Sequence, residues 1–138
     1  MKEKWIEVDP FGSLYFESIL VYFNEPDLFV CTDQSEKKYL GVFLDENKEM
    51  HLLVETDNQN ILCMINKEIS MEQAFRKTKG GKAFYILYDA VTDRFASREV
   101  KISQVQKEDL PESNVLFTLN DGNIQNYRSL LQEQIKLM

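Results

Sequence analysis

Short apolar runs separated by polar turns make up the first part of the chain. The runs cover residues 14–23, 28–32, 39–44 and 50–55. Runs of this length, rich in β-branched and aromatic residues, are typical of strands, and short connections favour pairing between consecutive strands. We therefore predict an antiparallel β-meander. Residues 19–23 are apolar at every position, which indicates a strand covered on both faces.

The apolar spacing then changes to that of a helix. Asp57 or Asn58 is the candidate cap of the first predicted helix. Its apolar positions are Ile61, Leu62, Ile65 and Ile69. Ser70 and Gln73 have the spacing of a capping box, in which each side chain accepts a hydrogen bond from the other residue's backbone N–H. They predict the start of a second short helix.

Strands return after this helical pair, and the chain closes on a longer helix. Residues 83–88 and 94–103 predict two strands, the second with one wet face, and a further strand is predicted at residues 115–119. Asn120 or Asp121 caps the last helix. Its apolar stripe consists of Ile124, Tyr127, Leu131, Ile135 and Met138, widened by Leu130 and Leu137. Such a stripe must cover the sheet or meet another chain.

Together these elements predict a single α+β domain spanning residues 1–138. It consists of an antiparallel meander, two short central helices and a C-terminal amphipathic helix packed on the sheet. The first residues, including Trp5 and Ile6, are interpreted as a lead into a turn at residues 9–12. A homodimer formed through the C-terminal helix is the alternative to packing of that helix on its own sheet.

Composition and charge narrow the class of protein. The chain is 43% hydrophobic and 12% aromatic, enough for one core without disulfides. Its net charge is −7, and residues 1–69 hold all of the excess acid. An acidic surface disfavours direct nucleic-acid binding, because phosphate backbones need Lys and Arg. It suits a basic protein partner, imitation of nucleic acid, or simple solubility.

The longest apolar run indicates that the chain does not enter a membrane. That run, at residues 83–88, has six residues, whereas a bilayer-spanning helix needs about 20. The charged first residues lack the apolar region of a signal peptide. We expect a cytoplasmic protein whose two cysteines stay reduced.

Few residues offer catalytic or metal-binding chemistry. His51 is the one histidine, and we interpret it as a solvent-facing residue of an alternating strand. Cys31 and Cys63 lie within apolar runs, which raise a thiol pKa and make the side chain unreactive. No spacing suits zinc. We therefore predict no catalytic, cofactor-binding or metal-binding residues, and no cofactor.

Glycines and carboxylates are better explained by turns than by ligands. Residues 79–82, Lys-Gly-Gly-Lys, follow a helix and precede a strand, the reverse of a phosphate-binding loop, so they predict a helix stop and a turn. The nearby cations form a candidate basic patch: Arg76, Lys77, Lys79 and Lys82. The carboxylates at predicted loop ends are Glu25, Asp27, Asp33, Asp45, Glu46 and Asp57. Local hydrogen bonding in turns accounts for them.

Most of the chain resembles an uncharacterised bacterial and phage domain family. The shared motifs are Tyr-x-x-x-Pro-x-Leu-Phe at residues 22–29, Tyr-Leu at residues 39–40, and Ile-Ser followed by Ala-Phe at residues 69–70 and 74–75. The resemblance implies a bacterial or phage protein and carries no catalytic residues with it.

Three hypotheses of function follow. The first is a non-enzymatic protein-interaction or regulatory module, whose partner is another protein. The second is an acidic inhibitor that imitates nucleic acid on a basic host or phage protein. The third is a small-ligand or enzymatic domain whose site the sequence does not reveal.

Overall fold

A computed structural model of the chain describes residues 3–22, 26–45, 49–110 and 122–137. In this part of the chain, one curled antiparallel sheet and three α-helices form an α+β fold. The seven strands follow chain order across the sheet. They are β1 Lys4–Val8, β2 Gly12–Tyr22, β3 Pro26–Thr32, β4 Lys38–Asp45, β5 Met50–Thr56, β6 Lys82–Asp89 and β7 Arg94–Lys101. The helices are α1 Asn58–Ile65, α2 Met71–Arg76 and α3 Gly122–Lys136.

The predicted α+β class and the antiparallel meander are confirmed. Strands β2 to β5 match the four predicted runs, and β6 and β7 match the later pair. Strand β1 extends the sheet by a segment that the sequence pattern assigned to a lead. The strand predicted at residues 115–119 lies outside the described residues.

Local capping explains where the two central helices begin. Asp57 is the N-cap of α1, and its side chain accepts a hydrogen bond from Asn60 N at 2.8 Å. The capping box at α2 is present: Gln73 N donates to Ser70 Oγ at 3.1 Å, and Ser70 N donates to Gln73 Oε1 at 2.8 Å. These side chains pair backbone donors that a helix start leaves free.

The first helix is shorter than predicted. It ends at Ile65, and Lys67 has a φ of 63°, a left-handed conformation that stops a helix. Ile69 therefore lies beyond α1, although it packs against the same core. None of the helices in the described ranges is long and apolar enough to cross a membrane.

Both faces of the sheet are apolar. The face enclosed by the curl carries what we call the inner cluster, whose buried members are Ile6, Val8, Leu14, Phe29, Cys31, Tyr39, Leu53 and Ile86. The opposite face packs against the helices, and its largest fully buried side chains include Phe75, Ile61 and Leu131. Because side chains alternate along a strand, neighbouring residues pack on opposite faces of the sheet.

A glycine allows the inner cluster to pack tightly. A Cβ atom on Gly41 would lie 2.4 Å from Cε2 of Phe29, far closer than van der Waals contact. The Phe29 ring occupies this space and meets Trp5 edge-on, with ring centroids 4.8 Å apart. The middle of the curl is therefore filled by aromatic rings.

Helix α3 packs on the outer face of its own sheet, as predicted. Ile124, Tyr127 and Leu131 are buried there. The apolar stripe is narrower than predicted, because Leu130 and Leu137 are 43% and 87% exposed. The candidate caps Asn120 and Asp121, and Met138, lie outside the described residues.

Candidate interaction site at the edges of the sheet

The two edge strands of the sheet lie side by side without pairing. Because an odd number of strands alternate in direction, β1 and β7 run the same way. They approach each other, yet among the described strands β1 pairs with β2 alone and β7 with β6 alone. The sheet therefore curls toward a barrel but remains open along one seam between β1 and β7.

The turn after β1 is anchored at this seam. Ser97 Oγ on β7 donates a hydrogen bond to the backbone oxygen of Asp9 at 2.5 Å. Phe11 N donates to Val8 O at 2.9 Å, which tightens the turn. The Phe11 ring then enters the inner cluster, where its centroid lies 4.8 Å from that of Phe84.

The seam opens into an acidic cleft of about 570 Å³. Its lining residues are Glu7, Val8, Asp9, Gly12, Asp93, Arg94 and Phe95. Three of them are carboxylates and one is a guanidinium, and all four are exposed. Asp93 accepts a hydrogen bond from the hydroxyl of Tyr88, and this bond raises the pKa of Tyr88. The charges favour a positively charged occupant.

Strand β7 presents a regular and exposed edge. Its eight residues pair with β6 without a bulge. Most of its side chains are exposed, including Ala96, Arg98 and Lys101. Among the described strands β7 pairs with β6 alone, so its other edge holds backbone N–H and C=O groups in the spacing that another strand needs.

The sequence of β1 carries a strand signal. In Lys4–Val8, Ile6 and Val8 are apolar and Glu7 between them is charged. This alternation predicts a half-buried strand. Strand β1 forms one side of the seam and contributes Glu7, one of its carboxylates.

A buried ion pair joins the sheet to α3. Lys38 Nζ lies 2.6 Å from Glu17 Oε2, and the two side chains are 14% and 7% exposed. Tyr127 donates its hydroxyl to Glu17 at 2.5 Å, and Lys38 donates to Gln134 Oε1 at 3.2 Å. Burial and the Glu17 charge raise the pKa of Tyr127. Each of these four side chains bonds to another of the four. The polar cluster that they form therefore holds α3 on the sheet.

A second cleft, of about 440 Å³, lies beside this cluster near the start of α1. Its charged lining consists of Glu36, Lys37, Lys38, Glu55, Asp57 and Lys79. Three cations and three carboxylates balance each other, so the cleft favours neither sign of ligand. The acidic seam has the clearer chemical preference.

The prediction for His51 is wrong. Its ring points into the inner cluster, with centroids 4.9 Å from Phe43, 5.0 Å from Trp5 and 5.9 Å from Phe29. His51 Nδ1 is buried and has no hydrogen-bond partner within the described part of the chain. Burial lowers the pKa of His51 from 6.5 to about 4. Both faces of the sheet are apolar, so the alternation of residues along β5 does not show which side chains face solvent.

His51 should make the stability of the fold sensitive to acid. Between pH 6.5 and about 4, the unfolded chain binds a proton at His51 that the folded chain does not. Unfolding therefore becomes easier as pH falls through this window, by about 2 to 3 kcal/mol at its lower end. His51→Phe should remove this component. Urea unfolding of both proteins at several pH values measures it, because carboxylate titration is common to both. A free-energy difference that stays constant with pH would contradict the prediction.

The two cysteines occupy different environments. Cys31 is buried in the inner cluster, and burial raises the pKa of its thiol. Cys63 is half-buried on α1, where Gln59 Nε2 donates to its sulfur at 3.5 Å. A hydrogen bond with Glu68 raises the pKa of Cys63. The apolar surroundings predicted for Cys63 are therefore wrong in part, but both thiols are held in the unreactive form.

The glycine pair forms the predicted turn, but it is not the helix stop, because α2 ends at Arg76 with Lys77 as its C-cap. Lys79–Gly81 lies between α2 and β6, and Gly80 and Gly81 have φ values of 77° and 68°. Thr78 Oγ1 donates to Glu55 O at 2.9 Å, which ties the turn to the end of β5. The four neighbouring cations are exposed, and one of them, Lys82, lies 3.5 Å from Glu99.

Turn formation accounts for the best-described predicted carboxylates. Asp33 Oδ1 accepts hydrogen bonds from Ser35 N at 2.8 Å and Lys37 N at 3.0 Å. Its other oxygen accepts from the hydroxyl of Tyr39 at 3.2 Å. Asp57 caps α1. These are the local roles that the sequence predicted for them.

The carboxylates are divided between the two ends of the sheet. Asp33 and Asp57 follow the ends of β3 and β5, whereas Asp27 lies at the opposite end, near the start of β3. Three others fall outside the described part: Glu25, Glu46 and the side chain of Asp45. Within the described ranges, no group of three or more His, Cys, Asp or Glu residues is arranged to hold a metal ion.

No family model, curated protein or solved structure matches this chain. The chemistry of the site therefore rests on its own geometry.

Proposed function

We propose that this chain is a non-enzymatic protein-interaction or regulatory module, and that it belongs to a bacterium or phage, as the family resemblance implies. The observation that supports the proposal is the open seam between β1 and β7. An exposed strand edge offers main-chain hydrogen bonds, and the adjacent acidic cleft offers charge. Proteins commonly bind extended segments through such an edge. We expect this to take place in the cytoplasm.

Imitation of nucleic acid remains an alternative prediction. It requires carboxylates gathered on one face, where they would follow a phosphate backbone. The described carboxylates occupy both ends of the sheet, and several are engaged in turns. The geometry therefore favours binding of a protein segment at the seam.

Site-specific photocrosslinking tests the proposed function. A photoreactive phenylalanine analogue is placed at Ala96 on β7, and at Gln132 on α3 as the control, both exposed positions. In a bacterial lysate, the Ala96 position should give discrete protein adducts that the Gln132 position lacks. Equal adducts from both positions, or none from Ala96, would contradict the proposal.

A further inference from the structure

We infer that the seam binds an extended, basic segment of another protein, which adds to the sheet as an eighth strand. This inference rests on the proposed function and specifies its partner. The segment runs antiparallel to both β1 and β7 and makes main-chain hydrogen bonds with the edges that no other described strand pairs with. Its lysine or arginine side chains face the carboxylates of the cleft.

The number of strands in the described ranges carries the first step. With seven alternating strands, β1 and β7 are parallel to each other, so direct closure would need a single parallel pair in an otherwise antiparallel sheet. An eighth strand that is antiparallel to both neighbours removes this mismatch. Eight strands are also a common number for closed up-and-down barrels, whose interior is just filled by side chains. In this chain, the side chains of the inner cluster already occupy the interior of the curl.

Opening the seam costs one hydrogen bond and part of the apolar packing between β1 and β7. An intervening strand requires its neighbours to stand about 10 Å apart, twice the usual strand spacing. The bond from Ser97 Oγ to Asp9 O is the hydrogen bond that joins β1 and β7 across the seam in the described part of the chain, and Ser97 is not deeply buried. Insertion of a strand must release this bond. The loss of this bond costs about 1 kcal/mol, and separating the strands also loosens the packing of Ile6 and Val8 on β1 with Phe95 on β7. Several main-chain hydrogen bonds and the inward-facing apolar side chains of the inserted strand would offset both costs.

Charge specifies the chemistry of the segment. Glu7, Asp9 and Asp93 line the cleft, and Arg94 is its one cation. Tyr88 and Ser13 donate hydrogen bonds to Asp93 and Glu7, so these carboxylates are held in position. A preorganised acidic cleft attracts Lys and Arg and repels Asp and Glu.

A second copy of the chain fits this edge less well. If two β7 strands paired antiparallel over their full length, Arg94 of one copy would lie opposite Lys101 of the other. Like charges directly opposite each other destabilise a strand pair. The free segment of a different protein avoids this repulsion.

Three labelled peptides test the inference by fluorescence anisotropy with the full chain. The basic peptide is Thr-Lys-Val-Lys-Val-Lys-Val-Thr; the acidic peptide has Glu for each Lys; the third keeps the lysines but replaces two valines with proline. We expect the basic peptide to bind with a Kd of about 100 μM or lower. The other two should bind at least about tenfold more weakly, because one reverses the charge and the other loses main-chain donors. Raising the salt concentration from about 50 mM to about 500 mM should also weaken binding of the basic peptide.

Matched variants locate the binding to the seam. Asp93→Asn and Glu7→Gln should each lower the affinity for the basic peptide about threefold or more. Glu72→Gln removes the same charge from α2, outside the cleft, and should leave the affinity unchanged. Ser97→Ala releases the seam and should strengthen binding. Equal binding of the three peptides, equal loss in Glu72→Gln, or dimerisation of the chain through β7 in light scattering would overturn the inference.

The outcomes separate this inference from the proposed function. Adducts at Ala96 with no binding of the basic peptide would overturn the basic-segment partner and leave the interaction module standing. Absence of adducts together with absence of peptide binding would overturn both.

Discussion

Replacing Leu131 with aspartate is expected to unfold the protein at neutral pH without denaturant. Leu131 is fully buried on α3, within the core formed by the helices and the outer face of the sheet. A carboxylate at this position would lose its hydration and gain no partner, which costs several kcal/mol. That cost is comparable to the whole stability of a domain, about 5 to 15 kcal/mol. Circular dichroism and one-dimensional NMR measure the loss of structure.

The neighbouring residue provides the matched control. Leu130 is 43% exposed on the same helix, so Leu130→Asp should remain folded and change stability by about 0.5 kcal/mol or less. A folded Leu131→Asp monomer in light scattering, beside a dimeric wild type, would contradict packing of α3 on its own sheet. It would instead support the alternative, a homodimer formed through the C-terminal helix.

Replacing Lys38 with methionine is expected to lower the free energy of unfolding by about 3 to 5 kcal/mol. The substitution keeps the apolar stem but deprives the buried Glu17 carboxylate of an ammonium group at 2.6 Å. Exposed ion pairs contribute about 1 kcal/mol or less, so the burial of this pair decides the size of the effect. Urea unfolding at neutral pH measures it.

Two further variants identify the origin of this loss. In the double variant Glu17→Gln with Lys38→Met, the charge is absent from both partners, and much of the lost stability should return. Gln134→Ala removes only the 3.2 Å hydrogen bond to Lys38 and should cost about 1 kcal/mol. A loss below about 1 kcal/mol in Lys38→Met would show that the pair behaves as an exposed one.

The local features of this fold could be predicted from the sequence. The apolar runs, the polar turns between them, the capping box of Ser70 and Gln73 and the glycine turn after α2 all depend on residues that are neighbours in the chain. Such features arise from backbone preferences and short-range hydrogen bonds, which do not depend on distant contacts. The meander followed from them, because short turns join consecutive strands.

Positions that depend on the curl of the sheet could not be predicted in this way. In a flat sheet with one solvent-exposed face, the alternation of side chains along β5 would have placed His51 in solvent. Curling encloses one face and the helices cover the other, so an alternating strand buries residues on both sides. His51 and Gly41 take their roles from rings that other strands contribute.

The candidate site itself was decided by tertiary structure. The sequence determined that the chain is acidic, that it forms an α+β meander and that its last helix needs a partner surface. It could not show that Asp9 meets Ser97 or that Glu17 meets Tyr127, because these contacts join residues 88 and 110 positions apart. Loop closure over such distances is determined by the whole core, and no local pattern records it. The unclosed seam, and with it the proposed partner, therefore follows from how seven strands curl around one aromatic cluster.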